Sequence, residues 1–426
     1  MSPRYRWFVV FTFFLFILLH QADKLLIGPL TTPIMEAFQI NEAQMGFVTF
    51  GALAVGAVCY WLWGWLYDRF VRTRLLALAS LIWGATTWLS ALARTFPGFI
   101  ATRAATGIDD SSYPGLYNVI ADYFEPQKRG KVNGILELAM PLGYLGGMVL
   151  ALMMQKSVGW RGVFDITGSV GVAIALLIFF GVREPRRGGA EPELRGLEQK
   201  REYRFSWNKV GGLFRKRSLL LIYCQSLFGV FPWQVITFWF FRYLETERGY
   251  SEMQVLLTMG VAIIVLAGGY PLGGALGDAW FKRNPRGRLL ISAIGVALGA
   301  ILLVFTLKTP VASQLQFGLL LGLTALFMPF AAPNMVASIY DVTVPEVRST
   351  ANGVFNFFDS IGAATSPLLA GLIAVRSSLG DAILWISVGA WALCFVFQIA
   401  ASFFMPEDVR ALRSEMRKRA EAEKAA

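Results

Sequence analysis

Eight ionisable side chains interrupt long apolar stretches of this sequence, and their types are suited to binding and releasing protons. They are His20, Asp23, Lys24, Arg103, Asp109, Asp110, Glu137 and Asp359. Apart from the histidine, five acids face two bases, so full ionisation would leave a formal charge of −3 that internal pairing cannot cancel. Because burial and neighbouring like charge both favour the neutral form of a carboxyl group, we expect some of these acids to carry a proton.

The elements that carry these residues are predicted to be membrane-spanning helices. Of 426 residues, 55% are hydrophobic and only 16% are charged, whereas soluble domains average about 25% charged residues. A bilayer core of about 30 Å requires roughly 20 helical residues, and twelve stretches meet that length. These spans are 7–30, 45–67, 74–93, 98–121, 131–155, 162–182, 218–242, 253–277, 288–308, 313–340, 350–375 and 382–404. The composition argues against soluble enzymes and nucleic-acid-binding proteins.

The net charge of +11 follows a membrane topology rather than an affinity for nucleic acid. Lys and Arg gather in alternate loops, which the positive-inside rule assigns to the cytoplasm. This pattern predicts an integral protein of the cytoplasmic (inner or plasma) membrane with both termini in the cytoplasm. The predicted domains are a six-helix bundle at 1–182, a cytoplasmic linker at 183–217, a second six-helix bundle at 218–404 and a cytoplasmic tail at 405–426.

We expect neither a cofactor nor a metal ion, and the sequence does not indicate an enzyme. With one histidine, and three cysteines that all lie in apolar stretches, the chain lacks the pattern of a zinc site or a disulfide framework. It contains no phosphate-binding Walker loop and no HExxH or GxSxG motif. ATP is therefore not expected to drive its activity.

The two predicted bundles repeat each other in sequence. Six residues recur 219 positions later with the same types and spacing. They are Asp122, Pro126, Arg129, Asn133, Gly134 and Gly143, which match Asp341, Pro345, Arg348, Asn352, Gly353 and Gly362. A loop motif from Gly64 to Asp68 similarly recurs from Gly274 to Asp278, at an offset of 210. The two halves are therefore expected to be related by pseudo-symmetry.

Twelve spans in two halves, with a repeated loop motif after spans 2 and 8, resemble the major facilitator superfamily. The signature of that family is recognisable from Gly64 to Arg74, although Val71 stands where a second glycine is usual and Thr73 interrupts the basic pair. Within the superfamily the chain is most similar to the spinster-like branch, with the organic anion transporters a close second. Three segments carry this resemblance: Asp23-Lys24, Arg103 to Tyr113, and Met140-Pro-Leu-Gly143.

The resemblance implies an all-α integral membrane fold with twelve transmembrane helices in two pseudo-symmetric six-helix bundles. It also implies that Asp23, Arg103 and Asp110 handle the proton and gate a central cavity. The sequence departs from the branch at 109–110, where Gly-Glu is usual and two aspartates stand. The carboxyl group of Asp110 therefore reaches one methylene less far than the usual glutamate.

Helix geometry predicts how the residues of spans 1 and 4 meet. The two spans run in opposite directions, which brings Asp23 and Arg103 to a similar depth, and we expect them to pair. Asp110 follows Arg103 by two helical turns, about 10 Å deeper, near a cavity at the midplane. Adjacent aspartates project about 100° apart, so only one of Asp109 and Asp110 is expected to face the cavity, and Asp110 is favoured. The alternatives are a static salt bridge between Asp23 and Arg103 and, for His20, either an ordinary interior position or a proton relay.

Five residues are expected to line the substrate cavity. They are Lys24, Tyr113, Glu137, Asn356 and Asp359. Glu137 is the repeat mate of Asn356, and Asp359 follows Asn356 by three residues, so acids from opposite halves would face one pseudo-symmetric surface. The alternative for Glu137 is that it reaches the cytoplasm or pairs with Lys131 or Arg129.

The repeated loop motifs are expected to form a cytoplasmic gate. Its residues are Gly64, Asp68, Arg69, Arg72, Asp278, Lys282 and Arg283. Glycine permits close helix approach, and ion pairs among the charged residues, each weak in water, could together bias one gate state. Arg74 and Arg288 are assigned instead to the positive-inside pattern.

These features predict a proton-coupled secondary active transporter that works by alternating access. The spinster-like resemblance implies an amphipathic lipid substrate, such as a lysophospholipid or a sphingoid phosphate. The alternative is a proton-coupled symporter of a small organic anion such as a sugar acid, for which Lys24 and Arg103 would supply the positive charge. A non-transporting membrane sensor or scaffold is a third hypothesis. The expected partners are substrate, protons and membrane lipids, without nucleic acid, and the chain is expected to be a monomer.

Overall fold

The computed structural model describes residues 2–112, 114–124, 132, 135–136, 138–186, 211–344 and 348–425 of the chain. Some side chains within its helices also lie outside the described part, namely those of Tyr60, Trp61, Gly64, Asp68, Pro114, Asn118, Ala121, Arg348, Ser349, Met416 and residues 419–425. Among the predicted site residues, Tyr113 and Glu137 lie outside the described residues, as do the side chains of Gly64 and Asp68.

The described part of the first half of the chain is helical, and some of its helices begin at a side-chain cap. They are α1 (Pro3–Leu26), α2 (Thr31–Phe38), α3 (Glu42–Arg69), α4 (Arg72–Leu92), α5 (Phe96–Ala105), α6 (Gly107–Asp110), α7 (Pro114–Tyr123) and α8 (Ala139–Gly181). The hydroxyl of Ser2 accepts a hydrogen bond from the amide of Tyr5 at the start of α1. Asn41 and Gln44 form a capping box at the start of α3. These caps satisfy amide groups that have no partner inside the helix.

The second half is also helical. Its helices are α9 (Arg217–Gly229), α10 (Phe231–Thr246), α11 (Glu252–Phe281), α12 (Gly287–Lys308), α13 (Gln314–Phe327), α14 (Ala331–Val342), α15 (Arg348–Ala374) and α16 (Leu379–Ala425), with a 3₁₀ turn at Met328–Phe330. Pro271 lies inside α11 and Pro367 inside α15. Each proline removes one backbone donor from its helix, which weakens the regular hydrogen-bond ladder at that point.

The described helices account for all twelve predicted spans. In the described part of the chain, ten helical stretches are long and apolar enough to cross a bilayer, and two of them, Arg217–Thr246 and Gln314–Val342, each join consecutive helices. The 43-residue helix Ala139–Gly181 covers most of the predicted spans 5 and 6, with non-helical backbone between them at Gly159, where φ is 69°. The predicted span 4 is divided among α5, α6 and α7. The prediction of an all-α, twelve-helix membrane protein is therefore confirmed.

The fourth span is irregular where one continuous helix was expected over 98–121. The helix is interrupted at Thr106, and α6 ends at Asp110 before α7 begins at Pro114. Proline has no amide hydrogen to donate to the preceding turn. Gly107 contacts α3 so closely that a Cβ there would overlap the carbonyl oxygen of Ala52. The short helix α6 is therefore positioned by close backbone packing.

The chain forms two compact units, each with its own apolar core. The first unit comprises Met1–Arg201, Thr237–Leu256 and Pro367–Arg376, and the second comprises Glu202–Ile236, Leu257–Ser366 and Ser377–Ala426. The core of the first includes Phe13, Ile17, Trp63, Leu76, Leu116 and Ile178. The core of the second includes Leu219, Ile222, Leu289, Met335, Ile339 and Met405. The predicted domain boundaries at 182 and 218 stay a prediction.

Two repeat-related glycines show that the sequence repeat has a packing role. Gly143 lies so close to α1 that a Cβ there would overlap the carbonyl oxygen of Leu18. Its mate Gly362 is similarly close to the carbonyl oxygen of Leu227 on α9. Only glycine allows backbones to approach this closely. Each glycine thus permits close packing against the first helix of its own half.

Candidate functional site

An ion pair between α1 and α5 joins two of the predicted site residues. Both terminal nitrogens of Arg103 lie 3.4 Å from Oδ2 of Asp23, and both side chains are buried. The guanidinium carbon of Arg103 also lies 5.3 Å from the ring centre of Phe164. The predicted contact between Asp23 and Arg103 is therefore confirmed, and its role in proton coupling stays a prediction.

Next to this pair, one imidazole nitrogen contacts two adjacent carboxyl groups. Nε2 of His20 lies 2.6 Å from Oδ1 of Asp110 and 3.1 Å from Oδ2 of Asp109. The sequence predicts that Asp110 rather than Asp109 faces the cavity, and it leaves His20 either in an ordinary interior position or in a proton relay. In the structure both aspartates of α6 contact the same imidazole ring. Two adjacent side chains that point in different directions can both contact an atom that lies between them.

Lys24 and Asp110 are the exposed members of this cluster. The Nζ atom of Lys24 lies 3.4 Å from Oδ1 of Asp110, and the two side chains are 42% and 20% exposed. The side chain of Asp109, by contrast, is 1% exposed. The cluster therefore has one accessible edge, formed by Lys24 and Asp110, and one buried edge, formed by His20 and Asp109.

Aromatic side chains and backbone acceptors hold this cluster in position. The imidazole of His20 is stacked on Phe16 and meets Trp83 edge to face, with both ring centres at 5.9 Å. Trp63 donates a hydrogen bond to the carbonyl oxygen of Ile108. Tyr67 donates another to the carbonyl oxygen of Ser112, at 2.9 Å. The indole and phenol donors of α3 thus anchor α6 at both of its ends.

Among the described residues, the same three side chains form a group that could hold a metal ion. His20, Asp109 and Asp110 each offer one ligand atom, and these atoms lie within 4.8 Å of one another. However, the ammonium group of Lys24 is 3.4 Å from one of the oxygens, and its positive charge opposes a bound cation. The arrangement therefore suits a proton better than a divalent cation.

The predicted site residues of the second half are less closely partnered. The side chain of Asp359, on α15, is half-buried, and within the described ranges no hydrogen bond or ion pair joins its carboxyl group. Asn356 is exposed, one turn earlier on the same helix. A carboxyl group without a cationic partner in a membrane helix marks a functional candidate. The predicted lining roles of Asp359 and Asn356 stay predictions.

Arg72, at the start of α4, binds two carboxylates, Asp122 and Glu184, for which the sequence predicts no functional role. Its Nη1 lies 2.6 Å from Oδ2 of Asp122, and its Nε lies 2.7 Å from Oε1 of Glu184. The other oxygen of Glu184 accepts a hydrogen bond from the amide of Thr73, at 2.9 Å. The recurrence of Asp122 in the repeat was the available signal. These contacts join α4, α7 and the segment that follows α8.

Arg288 makes the corresponding contacts in the second half, and its assignment to membrane topology alone is wrong. Its guanidinium pairs with Asp341 and lies 2.7 Å from Oδ1 of Asp278. Lys282 and Arg283, which were expected in this role, are exposed, and among the residues described here neither makes an ion pair. The motif was read as a contiguous loop, whereas the arginine that contacts both aspartates lies on the following helix.

Arg69 does not join these ion pairs in the described part of the chain. It is exposed, and its guanidinium carbon lies 4.6 Å from the ring centre of Trp65, one turn earlier on α3. A cation–π contact at an exposed site contributes about 0.5–1 kcal/mol. Of the two predicted gate residues in the first half whose side chains are described, Arg72 makes buried ionic contacts and Arg69 does not.

A polar cluster within the first unit was not anticipated from the sequence. Nη2 of Arg242, on α10, lies 3.0 Å from Oε1 of Glu42 at the start of α3. Thr32 donates a hydrogen bond to Oε2 of Glu245, at 2.8 Å. The two residues of these contacts are 200 and 213 positions apart in the sequence. No local spacing could have revealed such pairs.

Comparison with known proteins finds a family match along most of the chain. The model of the Major Facilitator Superfamily matches residues 12–328 and 286–426. The Drosophila melanogaster protein spinster is 29% identical over 393 residues, which cover 87% of this chain and 62% of that protein. A Bacillus subtilis protein named probable galactarate/D-glucarate transporter is 25% identical over 413 residues, which cover 91% and 90% of the two chains.

Among solved structures, the fold is similar to that of a bacterial homologue of the human lysosomal transporter Spinster. That crystal structure, in an inward-facing and unoccupied conformation, superposes with a TM-score of 0.81. The match covers 96% of this chain and 98% of the other, at 19% sequence identity. At this identity the similarity establishes the fold.

Proposed function

Because this chain belongs to the Major Facilitator Superfamily and resembles its spinster-like branch, we propose that it is a proton-coupled secondary active transporter. It works by alternating access, with a substrate site near the bilayer midplane. Asp23, Arg103 and Asp110 couple the proton to substrate movement. The protein resides in the cytoplasmic membrane as a monomer, with both termini in the cytoplasm.

The contact between Lys24 and Asp110 is the observation that carries this proposal. An exposed ammonium group in a membrane helix is costly unless it is paired or solvated, and Lys24 is paired to a carboxylate that is itself accessible. Uptake of a proton by the group of carboxyls that includes Asp110 would weaken this attraction and release Lys24 to bind an anionic substrate. Proton binding and substrate binding would then favour each other, which is the requirement for symport.

This geometry supports a small organic anion, such as a sugar acid, as the substrate. Lys24 offers an accessible cation, whereas Arg103 is buried against Asp23. The Bacillus subtilis relative is named for two sugar acids, and its match covers nearly the whole of both chains. An amphipathic lipid, expected from the spinster-like resemblance, is the second candidate. It rests on the 29% identity to spinster.

We propose that Arg72 and Arg288 stabilise one state of the gate. Each pairs with an aspartate of the repeated sequence, Asp122 or Asp341. Ion pairs that form in one conformation and separate in the other bias the equilibrium by their differential strength. Asp278, which contacts Arg288 together with Asp341, is part of the same set of gate ion pairs.

Transport by purified protein in liposomes tests the proposed function. An internal pH-sensitive dye follows proton movement under an imposed gradient while D-glucarate, galactarate or lysophosphatidylcholine is added. We expect a sugar acid to drive proton uptake in the wild type and Asp110→Asn to abolish it. Asp165→Asn is the matched control, because Asp165 is an exposed aspartate of the same half.

The outcomes separate coupling from substrate class. Substrate uptake without proton movement would overturn the coupling and leave a facilitator. Proton movement with lysophosphatidylcholine alone would replace the anion by the lipid candidate. Loss of uptake in Asp165→Asn equal to that in Asp110→Asn would show that the charge of Asp110 has no special role.

A further inference from the structure

The charges around α6 balance except at one residue. Asp23 and Arg103 neutralise each other. The carboxylate of Asp110 faces the ammonium group of Lys24. Asp109 is 1% exposed, and in the described portion of the chain its one potentially cationic contact is the imidazole of His20. A carboxylate buried in this way is costly to ionise unless a positive charge lies beside it.

The titratable and charged groups around His20 come from three packed helices. Asp23 and Lys24 lie on its own helix, and Asp109 and Asp110 lie on α6. Tyr144, on α8, interacts electrostatically with Lys24 and Asp110. The side chain that α4 presents to the imidazole is the Trp83 ring, which does not titrate.

The two carboxyl oxygens beside Nε2 of His20 determine whether that nitrogen carries a hydrogen. Nε2 lies within hydrogen-bond distance of both Asp109 and Asp110, so a bare nitrogen lone pair there would face two acceptors. The nitrogen therefore carries a hydrogen when both aspartates are ionised. With a neutral imidazole, two carboxylates and the ammonium group of Lys24, the cluster has a formal charge of −1. One added proton makes it neutral.

We propose that His20, Asp109 and Asp110 form a single proton-binding site that takes up one proton. The proton enters from the accessible side, where the side chain of Asp110 is 20% exposed. It is then held between the imidazole of His20 and the buried carboxyl group of Asp109. This inference rests on the proposed function for its role in transport, because it identifies where the coupled proton resides.

The two neighbouring aspartates have different roles in this site. Asp110 contacts both Lys24 and His20, so it links the accessible edge to the buried edge. Asp109 supplies the negative charge that makes the additional proton favourable. Uptake of that proton removes the excess charge and weakens the hold of the cluster on Lys24. Proton binding at the buried edge thereby changes the electrostatic attraction on Lys24, the side chain proposed to bind substrate.

A single-residue spectroscopic measurement tests the site directly, since His20 is the one histidine in the sequence. Protein labelled with ¹⁵N-histidine, purified with a tag that contains no histidine, is placed in lipid nanodiscs with EDTA. The ¹⁵N shifts of the ring distinguish a singly from a doubly protonated imidazole across pH 4–10. EDTA removes divalent cations that could occupy the same three ligand atoms.

Loss of either aspartate should weaken proton binding by His20. We expect the pH at which His20 gains its second ring proton to fall by at least one unit in Asp109→Asn, a tenfold loss of affinity. This pH is also expected to fall in Asp110→Asn, and that variant provides the test if Asp109→Asn does not fold. Asp165→Asn should titrate like the wild type. Size-exclusion profiles establish that each variant is folded.

Two results would overturn the site. One is a wild-type imidazole that remains singly protonated down to pH 4. The other is a titration that both asparagine variants leave unchanged. Neither result depends on substrate, so each is distinguishable from failure of the transport proposal. Conversely, a titrating His20 in a protein that moves substrate without protons would overturn the coupling and retain the site.

Discussion

Asp122 and Asp341, which are 219 residues apart in the repeated sequence, are each paired with an arginine near the start of a helix. In the first half the arginine is Arg72, the first residue of α4, and in the second it is Arg288, the second residue of α12. Each pair lies within its own compact unit. The sequence repeat therefore reproduces an ionic contact as well as a pattern of residues.

Removal of Arg72 should destabilise the protein markedly. Arg72→Ala takes the guanidinium away from Asp122 and Glu184, whose side chains are largely shielded from water. Leaving such carboxylates unpaired costs about 3 kcal/mol. The change is measured as the free energy of unfolding in detergent, and as a lower midpoint of thermal unfolding.

Lys282→Ala provides the matched comparison for Arg72→Ala. Lys282 is an exposed cation of the repeated motif, and exposed substitutions usually change stability by less than about 0.5 kcal/mol. Equal effects of the two substitutions would contradict the structural role given to the buried contacts of Arg72.

A methyl group at Gly107 should disturb the helix that carries both aspartates. Gly107→Ala places a Cβ against the carbonyl oxygen of Ala52, so α6 must move away from α3. Overpacking of this kind costs about 1–3 kcal/mol. Gly146→Ala is the control, because no heavy atom lies within 4 Å of the added Cβ. A thermal shift assay that ranks the two variants in the opposite order would refute the close contact.

Cross-linking at the polar cluster of the first unit should arrest transport. Thr32 and Glu245 are in direct hydrogen-bond contact, so Thr32→Cys with Glu245→Cys places two thiols within reach of a short bifunctional reagent. Thr32 belongs to the first predicted bundle and Glu245 to the second, and alternating access moves the bundles relative to each other, so the bridged protein should lose uptake. The background replaces Cys59, Cys224 and Cys394 by serine.

Each single-cysteine variant controls for the chemical modification itself. These variants react with the same reagent without forming a bridge, and they should retain uptake. If the bridged protein transports at the wild-type rate, this cluster does not separate during the cycle.

Neutralising Lys24 should weaken the transport of a sugar acid. Lys24→Gln removes the accessible ammonium group, and uptake of a sugar acid is expected to fall at least tenfold, mainly through a higher KM. The reason is that a charge-assisted hydrogen bond to a carboxylate contributes about 1.5–3 kcal/mol. Lys308→Gln, which alters an exposed lysine at the end of α12, should leave KM unchanged. An unaltered KM in Lys24→Gln would remove Lys24 from the substrate site.

The predicted contact between Asp23 and Arg103 illustrates what could be inferred before the structure. Counting residues along two antiparallel spans places Asp23 and Arg103 at a similar depth. Opposite charges in an apolar environment are stabilised when they pair. The same reasoning could not find the contact of Arg242 with Glu42, which joins residues 200 positions apart. Depth along a helix follows from counting residues, whereas the choice of neighbouring helix depends on packing.

Arg288 illustrates the opposite case. Local sequence placed it in a basic loop and favoured Lys282 and Arg283 as the functional cations of the repeated motif. The structure pairs Arg288 with Asp341 and Asp278 instead. An arginine reaches carboxylates on separate elements through its planar fork of donors, and its position near the start of α12 directs that fork toward both.

The sequence by itself determined the membrane class, the twelve spans and the internal repeat, because the lengths of apolar stretches and the spacing of repeated residues are local properties. It also identified the ionisable residues that require a partner. Only the tertiary structure decided which partners they have. His20 on α1 meets Asp109 and Asp110 on α6, and glycines pack α6 closely against α3 and α8 closely against α1. Such approach distances arise from the packed chain as a whole.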